Sequence, residues 1–166
     1  YQEAKLLLSN SKNIQNEIIS EFGSNILDKK NRIDRIKLAR ISFQDKAQQN
    51  KLNSIVHPHL FRKINESFKM IAKQDVFPVF IVDGALIFES GFHKQLDHTI
   101  AITAHIKLRI TRVLKKGRLT RKDILKRMKL QWSDDKKIKL ADFSIQNSGT
   151  EKELWKQVSA IYAELV

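Results

Sequence analysis

The stretch HTIAITAHIKLRITRVLKKGRLTRKDILKRMKLQ (98–131) changes character midway. Its opening, His98–Thr103, is short, apolar and β-branched, the composition of a buried strand. The remainder, 106–131, reads as two basic helices, the second capped by Thr120 with Asp123 three positions on. Further along, DFSIQNSG (142–149) reads as a short strand and loop, and Thr150 with Glu153 forms a second capping box that opens a last helix. Upstream, FPVFIVD (77–83) reads as another buried strand. Strand–helix–strand–helix order predicts an α/β fold with a parallel sheet.

Ligands of such sheets bind beyond the carboxyl ends of the strands. Asp83 closes the first expected strand, Thr103 the second and Gln146–Gly149 the third. The basic helices spring from the same rim. They carry most of the charge: residues 107–131 hold eleven Lys or Arg against one acid, Asp123, while the rest of the chain supplies about +3 of the formal +13. Like charges at helical spacing repel, so the cluster adds nothing to local stability. A local cluster implies a local anion, and its position points to a polyphosphate.

Composition bounds the alternatives. The 166 residues, 42% hydrophobic, suffice for one globular domain with a real core. There are no cysteines, which excludes disulfides and thiolate metal sites. The longest apolar run, VFPVFIVDGALIF (76–88), is broken by Pro78, Asp83 and Gly84 and is too short to cross a bilayer. Tyr1 enters directly into YQEAKLLLSNS, which reads as the middle of a helix and not as a signal peptide. A cytoplasmic protein without a membrane partner is expected. His59, His93, His98 and His105 show no metal-ligand spacing, and no metal-binding residues are assigned.

The first half reads as helical. SKNIQNEIISEFG has Ser11 as N-cap and Gly23 as stop; IDRIKLARISF has Asp34 as cap. KAQQNKLNSIVHPHLFRKINESFKMIAK reads as two helices jointed at His57–Pro58, because proline disfavours helix in the residue before it.

Five of these segments, in order across nearly the whole chain, resemble the dephospho-coenzyme A kinases. IDRIKLARISF is similar to the family's Asp-Arg-x-x-Leu…Phe helix, and LNSIVHPHL to its Leu-Asn-x-Ile-x-His-Pro motif, the most specific match. VDGALIFESGF resembles its Asp-x-Pro-Leu-Leu-Phe-Glu loop, with Ala85 where proline is common. RITRVLKKGRLTRKDILKRMKLQ resembles its lid, with Arg109, Arg112, Thr120, Arg127 and Gln131 at matching places. ADFSIQNSG resembles its Ala-Asp-x-x-Ile-x-Asn-x-Gly segment. The chain departs from the family in two places. The lid has Lys116–Gly117 and then Arg118 where the family carries Arg-Asp, and a lysine holds phosphate only as a point charge. The family's opening strand, its Gly-x-x-x-x-Gly-Lys-Ser/Thr loop and the Asp-x-Asp segment after it match nothing in these residues. They are expected upstream of Tyr1.

The resemblance implies a nucleotide-kinase-like fold of the phosphate-loop NTPase type, without its first strand and loop. Its expected parts are a helical acceptor-substrate part (1–75), an α/β core (76–105 and 136–166) and a basic lid (106–135). It implies transfer of the ATP γ-phosphate to the 3′-hydroxyl of dephospho-CoA, with magnesium; this stretch alone is expected to be inactive. Arg112, Lys116 and Asp83 are the implied catalytic residues. Arg109, Arg112, Lys116, Arg118, Arg127, Asn147 and Gly149 are implied to bind ATP, and Arg35, His57, Pro58 and Glu89 the acceptor. A monomer or weak homo-oligomer is expected.

Plainer readings stay open beside these. Arg112 and Lys116, four apart on one helix face, could be a solvated basic surface. His57–Pro58 could only pack a joint, and Arg35 could pair with Asp34 or Glu66. Asp83 could cap a loop and Glu89 a helix start, and Asn147 and Gly149 could serve a turn. Charge alone would also suit a module gripping RNA or DNA, but the basic stretch has no aromatic before Trp132 on which bases could stack. Another small-molecule kinase of this architecture, such as a nucleotide kinase, is the further alternative.

Overall fold

The computed structural model describes residues 2–117 and 119–166. Arg118, one of the expected phosphate ligands, lies outside the described residues. The chain divides into two compact units, residues 1–85 and 86–166.

The first unit is helical: α1 (Gln2–Asn10), α2 (Lys12–Phe22), α3 (Arg35–Ser42) and α4 (Lys46–Ala72). Local signals start and stop these helices as expected. Ser11 Oγ accepts from the Ile14 N–H, Gly23 ends α2 at φ +75°, and Asp34 accepts from the N–H groups of Ile36 and Lys37. Ile14 and Ile18, one turn apart on α2, are the centre of a core completed by Ile26, Leu38 and Val56. The Ser42 hydroxyl, buried with them, donates to the Leu38 carbonyl and so adds no unpaired group to the core.

Two expectations fail here. The helices on either side of His57–Pro58 are one: α4 runs through the proline for 27 residues. Proline removes a single helical N–H. Packing on both sides outweighs that loss, with Val56 in the core and the His57 ring stacked on Phe61 one turn later, centroids 5.4 Å apart. Burial also pushes the His57 imidazole below its ordinary value of 6.5. Second, FPVFIVD is not a strand. Among the described residues 77–83 pair with no other strand, and Phe77 and Ile81 are exposed. Phe80 meets the Phe68 ring edge-on at 5.6 Å. A strand exists through its ladder partner, which apolar composition does not supply.

The second unit is the α/β part. Strands β1 (Ile100–Thr103) and β2 (Phe143–Gln146) pair in parallel, Ile100 opposite Phe143 and Thr103 opposite Gln146. Between them run α5 (Ile106–Lys115), α6 (Arg121–Lys129) and the short α7 (Asp134–Ile138); α8 (Glu151–Leu165) comes after β2 and packs on it. Both expected capping boxes are present, at Thr120–Asp123 and Thr150–Glu153.

The register is fixed at both ends of the ladder. At the amino ends, Asp142 Oδ2 accepts from the Thr99 N–H at 2.7 Å and from the Thr99 hydroxyl at 2.8 Å. These two bonds, the hydroxyl's first, hold the Asp142 carboxyl below its ordinary 3.8. At the carboxyl ends, the Asn147 N–H extends the ladder to the Thr103 carbonyl at 2.7 Å. Gln157 of α8 grips Gln146 twice, accepting from its N–H at 2.9 Å and donating to its carbonyl at 3.2 Å.

The carboxylates give an expected pH dependence. Asp142, Asp123 and Glu153 are all held below their ordinary values by threonine hydrogen bonds. Their stabilisation is therefore present above the ordinary carboxylate range and is lost as pH falls through the lower folded values. His57, a base shifted down, costs stability earlier, as pH falls below 6.5. Melts from neutral pH downward should show two windows of loss. Asp142→Asn should shrink the lower one, leaving the share of Asp123 and Glu153, and leave the upper one in place.

Candidate active site

The expected site residues divide between the units. Arg35, His57, Pro58 and Asp83 lie in the first; Glu89, Arg109, Arg112, Lys116, Arg127, Asn147 and Gly149 lie in the second.

In the second unit the rim of the parallel ladder is built by three hydrogen bonds between distant parts of the chain. Helix α5 begins three residues after β1 ends, so its first turns stand over the strand ends. The His105 N–H donates to Ser148 Oγ at 2.8 Å. Two turns on, Arg112 Nη1 donates to the Asn147 carbonyl at 3.0 Å and to Asn147 Oδ1 at 3.3 Å. A basic helix and the loop after β2 are thereby joined through two residues that the family resemblance assigns to one ligand. The guanidinium is exposed, and its other N–H groups make no bond among the described residues. Lys116 stands one turn further along, exposed at the C-cap of α5.

Gly149 has a structural reason of its own. A Cβ there would lie 2.1 Å from Glu153 Oε2, the oxygen that caps α8 through the Thr150 N–H and hydroxyl. Gly149→Ala should displace that carboxylate and cost about 1 kcal/mol, the usual worth of a cap, read as a lower denaturant midpoint.

Arg109 is already engaged. Its guanidinium makes a two-pronged pair with Asp134, Nη1 to Oδ1 at 3.1 Å and Nη2 to Oδ2 at 2.8 Å, tying α5 to the first residue of α7. Arg127, half-buried on α6, sits in a different environment from its exposed neighbour Lys126. The other cations of α5 and α6 (Lys107, Lys115, Arg121, Lys122, Lys129) are exposed, a dense positive surface beside the rim.

Glu89 is nearly sealed, its side chain 5% exposed. Its Oε1 accepts from the Trp132 N–H at 2.9 Å and from Lys137 Nζ at 2.9 Å. Lys136 Nζ lies 3.5 Å from the centre of the Trp132 ring. Helix α7 and this cluster were not read from the sequence. A signal for the helix was present: Ser133, then two acids, then two lysines, is an N-cap with charges after it that suit the helix dipole.

In the first unit, the Arg35 guanidinium donates to Ser9 Oγ. His57 is half-buried and its neighbour Pro58 exposed; His59 Nε2 lies 3.4 Å from Glu17 Oε1. Asp83 is exposed in the irregular segment after Phe80. No group of three His, Asp or Glu among the described residues could hold a metal. Magnesium in kinases needs less, one or two carboxylates beside substrate phosphates and water, and Asp83 can serve as one such ligand.

Fold and rim together define an α/β protein in which the first of two cationic helices is tied to the carboxyl ends of a parallel ladder, where such sheets bind their ligands. The family model described as dephospho-CoA kinase matches residues 2–153. The dephospho-CoA kinase of Fusobacterium nucleatum is 36% identical over 151 residues, covering 91% of this chain and 76% of that protein. The dephospho-CoA kinase of Aquifex aeolicus is 35% identical over 152 residues, covering 92% and 76%. Among solved structures, dephospho-CoA kinase from Campylobacter jejuni superposes with a TM-score of 0.61 at 28% identity over 98% of this chain and 80% of that one. The protein TT1252 from Thermus thermophilus gives 0.77 at 27% identity, over 98% and 83%. The chain belongs to the dephospho-CoA kinase family, and its fold is of the phosphate-loop NTPase type. No described helix is long and apolar enough to cross a membrane.

Proposed function

We propose that this protein catalyses the last step of coenzyme A synthesis, moving the γ-phosphoryl group of ATP to the 3′-hydroxyl of dephospho-CoA. The observation that carries the reading, within a chain of this family, is the junction of Arg112 with Asn147 at the strand ends. The bond from the γ-phosphorus to the β–γ bridging oxygen breaks, a bond to the ribose 3′-oxygen forms, ADP leaves, and the hydroxyl proton passes to a base. Little covalent chemistry falls to the protein; the barrier is lowered by positioning and by cations over the transferred group.

In this reading Arg112 and Lys116 face the ATP phosphates, Arg112 oriented by its grip on the Asn147 carbonyl. Arg127 and Arg118 supply further positive charge. Asn147 and Gly149 line the side taken by the adenine. Arg109, held by Asp134, acts on ATP by fixing α5. Arg35, His57 and Pro58 belong to the acceptor, and Asp83 orients the reacting groups. Magnesium, when bound with ATP, neutralises charge on the β- and γ-oxygens. In this reading the protein works in the cytoplasm, as a monomer or weak homo-oligomer.

The test is acceptor choice. Offered ATP with dephospho-CoA, nucleoside monophosphates and single-stranded RNA, the full protein should phosphorylate dephospho-CoA alone. Phosphorylation of a nucleoside monophosphate would replace this reading with that of a nucleotide kinase. Salt-sensitive RNA binding without turnover would replace it with a nucleic-acid module.

A further inference from the structure

Glu89 is not explained by the site as described. Its carboxylate is buried, yet only one oxygen is used: Oε1 takes both the Trp132 N–H and the Lys137 ammonium, while Oε2 has no hydrogen-bond partner among the described residues. Burying a carboxylate costs several kcal/mol, and a half-satisfied ion pair recovers that poorly. An apolar side chain of similar size would stabilise the fold at least as well. What a carboxylate adds is direction.

The direction matters because of where its two partners lie. Trp132 is the third residue after α6, where the basic helical pair returns to the core, and Lys137 is on α7. Glu89 comes from a turn 43 residues earlier. From the other side, Arg109 holds Asp134, the first residue of α7. The segment that follows the basic pair is therefore held at three points between Trp132 and Lys137: Trp132 by Glu89, Asp134 by Arg109 of α5, and Lys137 by Glu89 again. The head of the pair carries Arg112 to Asn147.

We propose that Glu89 is a positioning residue for the ATP side of the reaction: by fixing Trp132 and Lys137 it sets the pose in which α5 and α6 present their cations to the nucleotide phosphates. It touches neither substrate. The inference rests on the kinase reading above.

The experiment is steady-state kinetics and melting of the full protein with four changes: Glu89→Ala, Glu89→Gln, the pair Glu89→Gln with Lys137→Met, and Asp142→Ala. The last breaks the clasp at the opposite strand ends and controls for lost stability alone. Glu89→Ala should raise KM for ATP about tenfold and lower kcat, since small misplacements of charged groups are costly, with KM for dephospho-CoA within about twofold. The Gln–Met pair keeps an acceptor for the Trp132 N–H and removes the buried charges but loses the tie to Lys137, so it should melt close to wild type while KM for ATP stays raised severalfold. A wild-type KM for ATP in that pair would overturn the proposal. Asp142→Ala should lower Tm and leave both KM values in place. A Glu89→Ala protein that melts early with both KM values unchanged would make Glu89 merely structural and overturn the proposal. A rise in KM for dephospho-CoA instead would place Glu89 against the acceptor and overturn it as well. A wild-type protein with no turnover would overturn the kinase reading and this proposal with it.

Discussion

Arg112→Ala is expected to lower kcat/KM for ATP about a thousandfold, a loss of roughly 4 kcal/mol of transition-state stabilisation. The size comes from geometry. One guanidinium nitrogen, Nη1, is spent on the Asn147 carbonyl and Oδ1, which holds the plane of the group in place over the strand ends. The remaining N–H groups lie at an exposed surface, and in the proposed reading they meet the incoming phosphates. Preorganised charge of this kind costs no rearrangement when the phosphoryl group moves. Arg112→Lys should rescue little, because an ammonium cannot hold Asn147 and meet a planar array of phosphate oxygens together. Lys116→Ala should do less, about tenfold, since Lys116 is an exposed point charge at the end of α5 and cannot make the guanidinium's two-pronged contact. Unchanged kcat/KM in Arg112→Ala, with an unchanged melt, would remove Arg112 from the phosphate site.

The second large effect concerns the helical unit. Ile18 is 0% exposed and packs among Ile14, Ile26, Leu38 and Val56. Ile18→Ala removes buried methyl and methylene groups and leaves a cavity that well-packed neighbours cannot close. The expected cost is about 3 kcal/mol, a large part of what a domain of this size has in reserve. It should appear as a lower denaturant midpoint with an unchanged slope. Ile36→Ala is the matched contrast. The same residue type on α3 is 74% exposed, and its truncation should cost less than about 0.5 kcal/mol. Equal losses from the two would mean that Ile18 does not sit in the core described.

The features legible in the sequence were local or strongly periodic. The caps at Ser11, Asp34, Thr120 and Thr150 depend on residues within three positions of one another, and each forms as read. HTIAIT and FPVFIVD look alike as compositions, yet only the first contains a strand. The difference is that Ile100–Thr103 finds Phe143–Gln146 and 77–83 finds no partner among the described residues, a fact about distant chain that neither segment encodes. Pro58 reads as a joint by a rule about one residue, while the helix is decided by the packing of its flanks.

The site divides in the same way. Arg112 and Asn147 could be nominated because they stand in motifs, although the bond between them spans 35 residues. Asp142 stands inside a motif too, but its clasp on Thr99 could not be read across 43 residues. Glu89 reads as an acceptor-side residue or a helix start, and its grip on Trp132 and Lys137 needed the fold to bring them together. That Arg109 pairs with Asp134 was equally hidden, because a motif names an arginine without naming its partner.

The kinase assignment is tested most directly by the balance of the reaction itself. The full protein is given ATP, magnesium and dephospho-CoA, and ADP and coenzyme A are quantified together. They should appear in equal amounts, with the new phosphate on the ribose 3′-oxygen and with ADP release dependent on dephospho-CoA. ADP formed at the same rate without dephospho-CoA, or a phosphate placed elsewhere, would contradict the assignment.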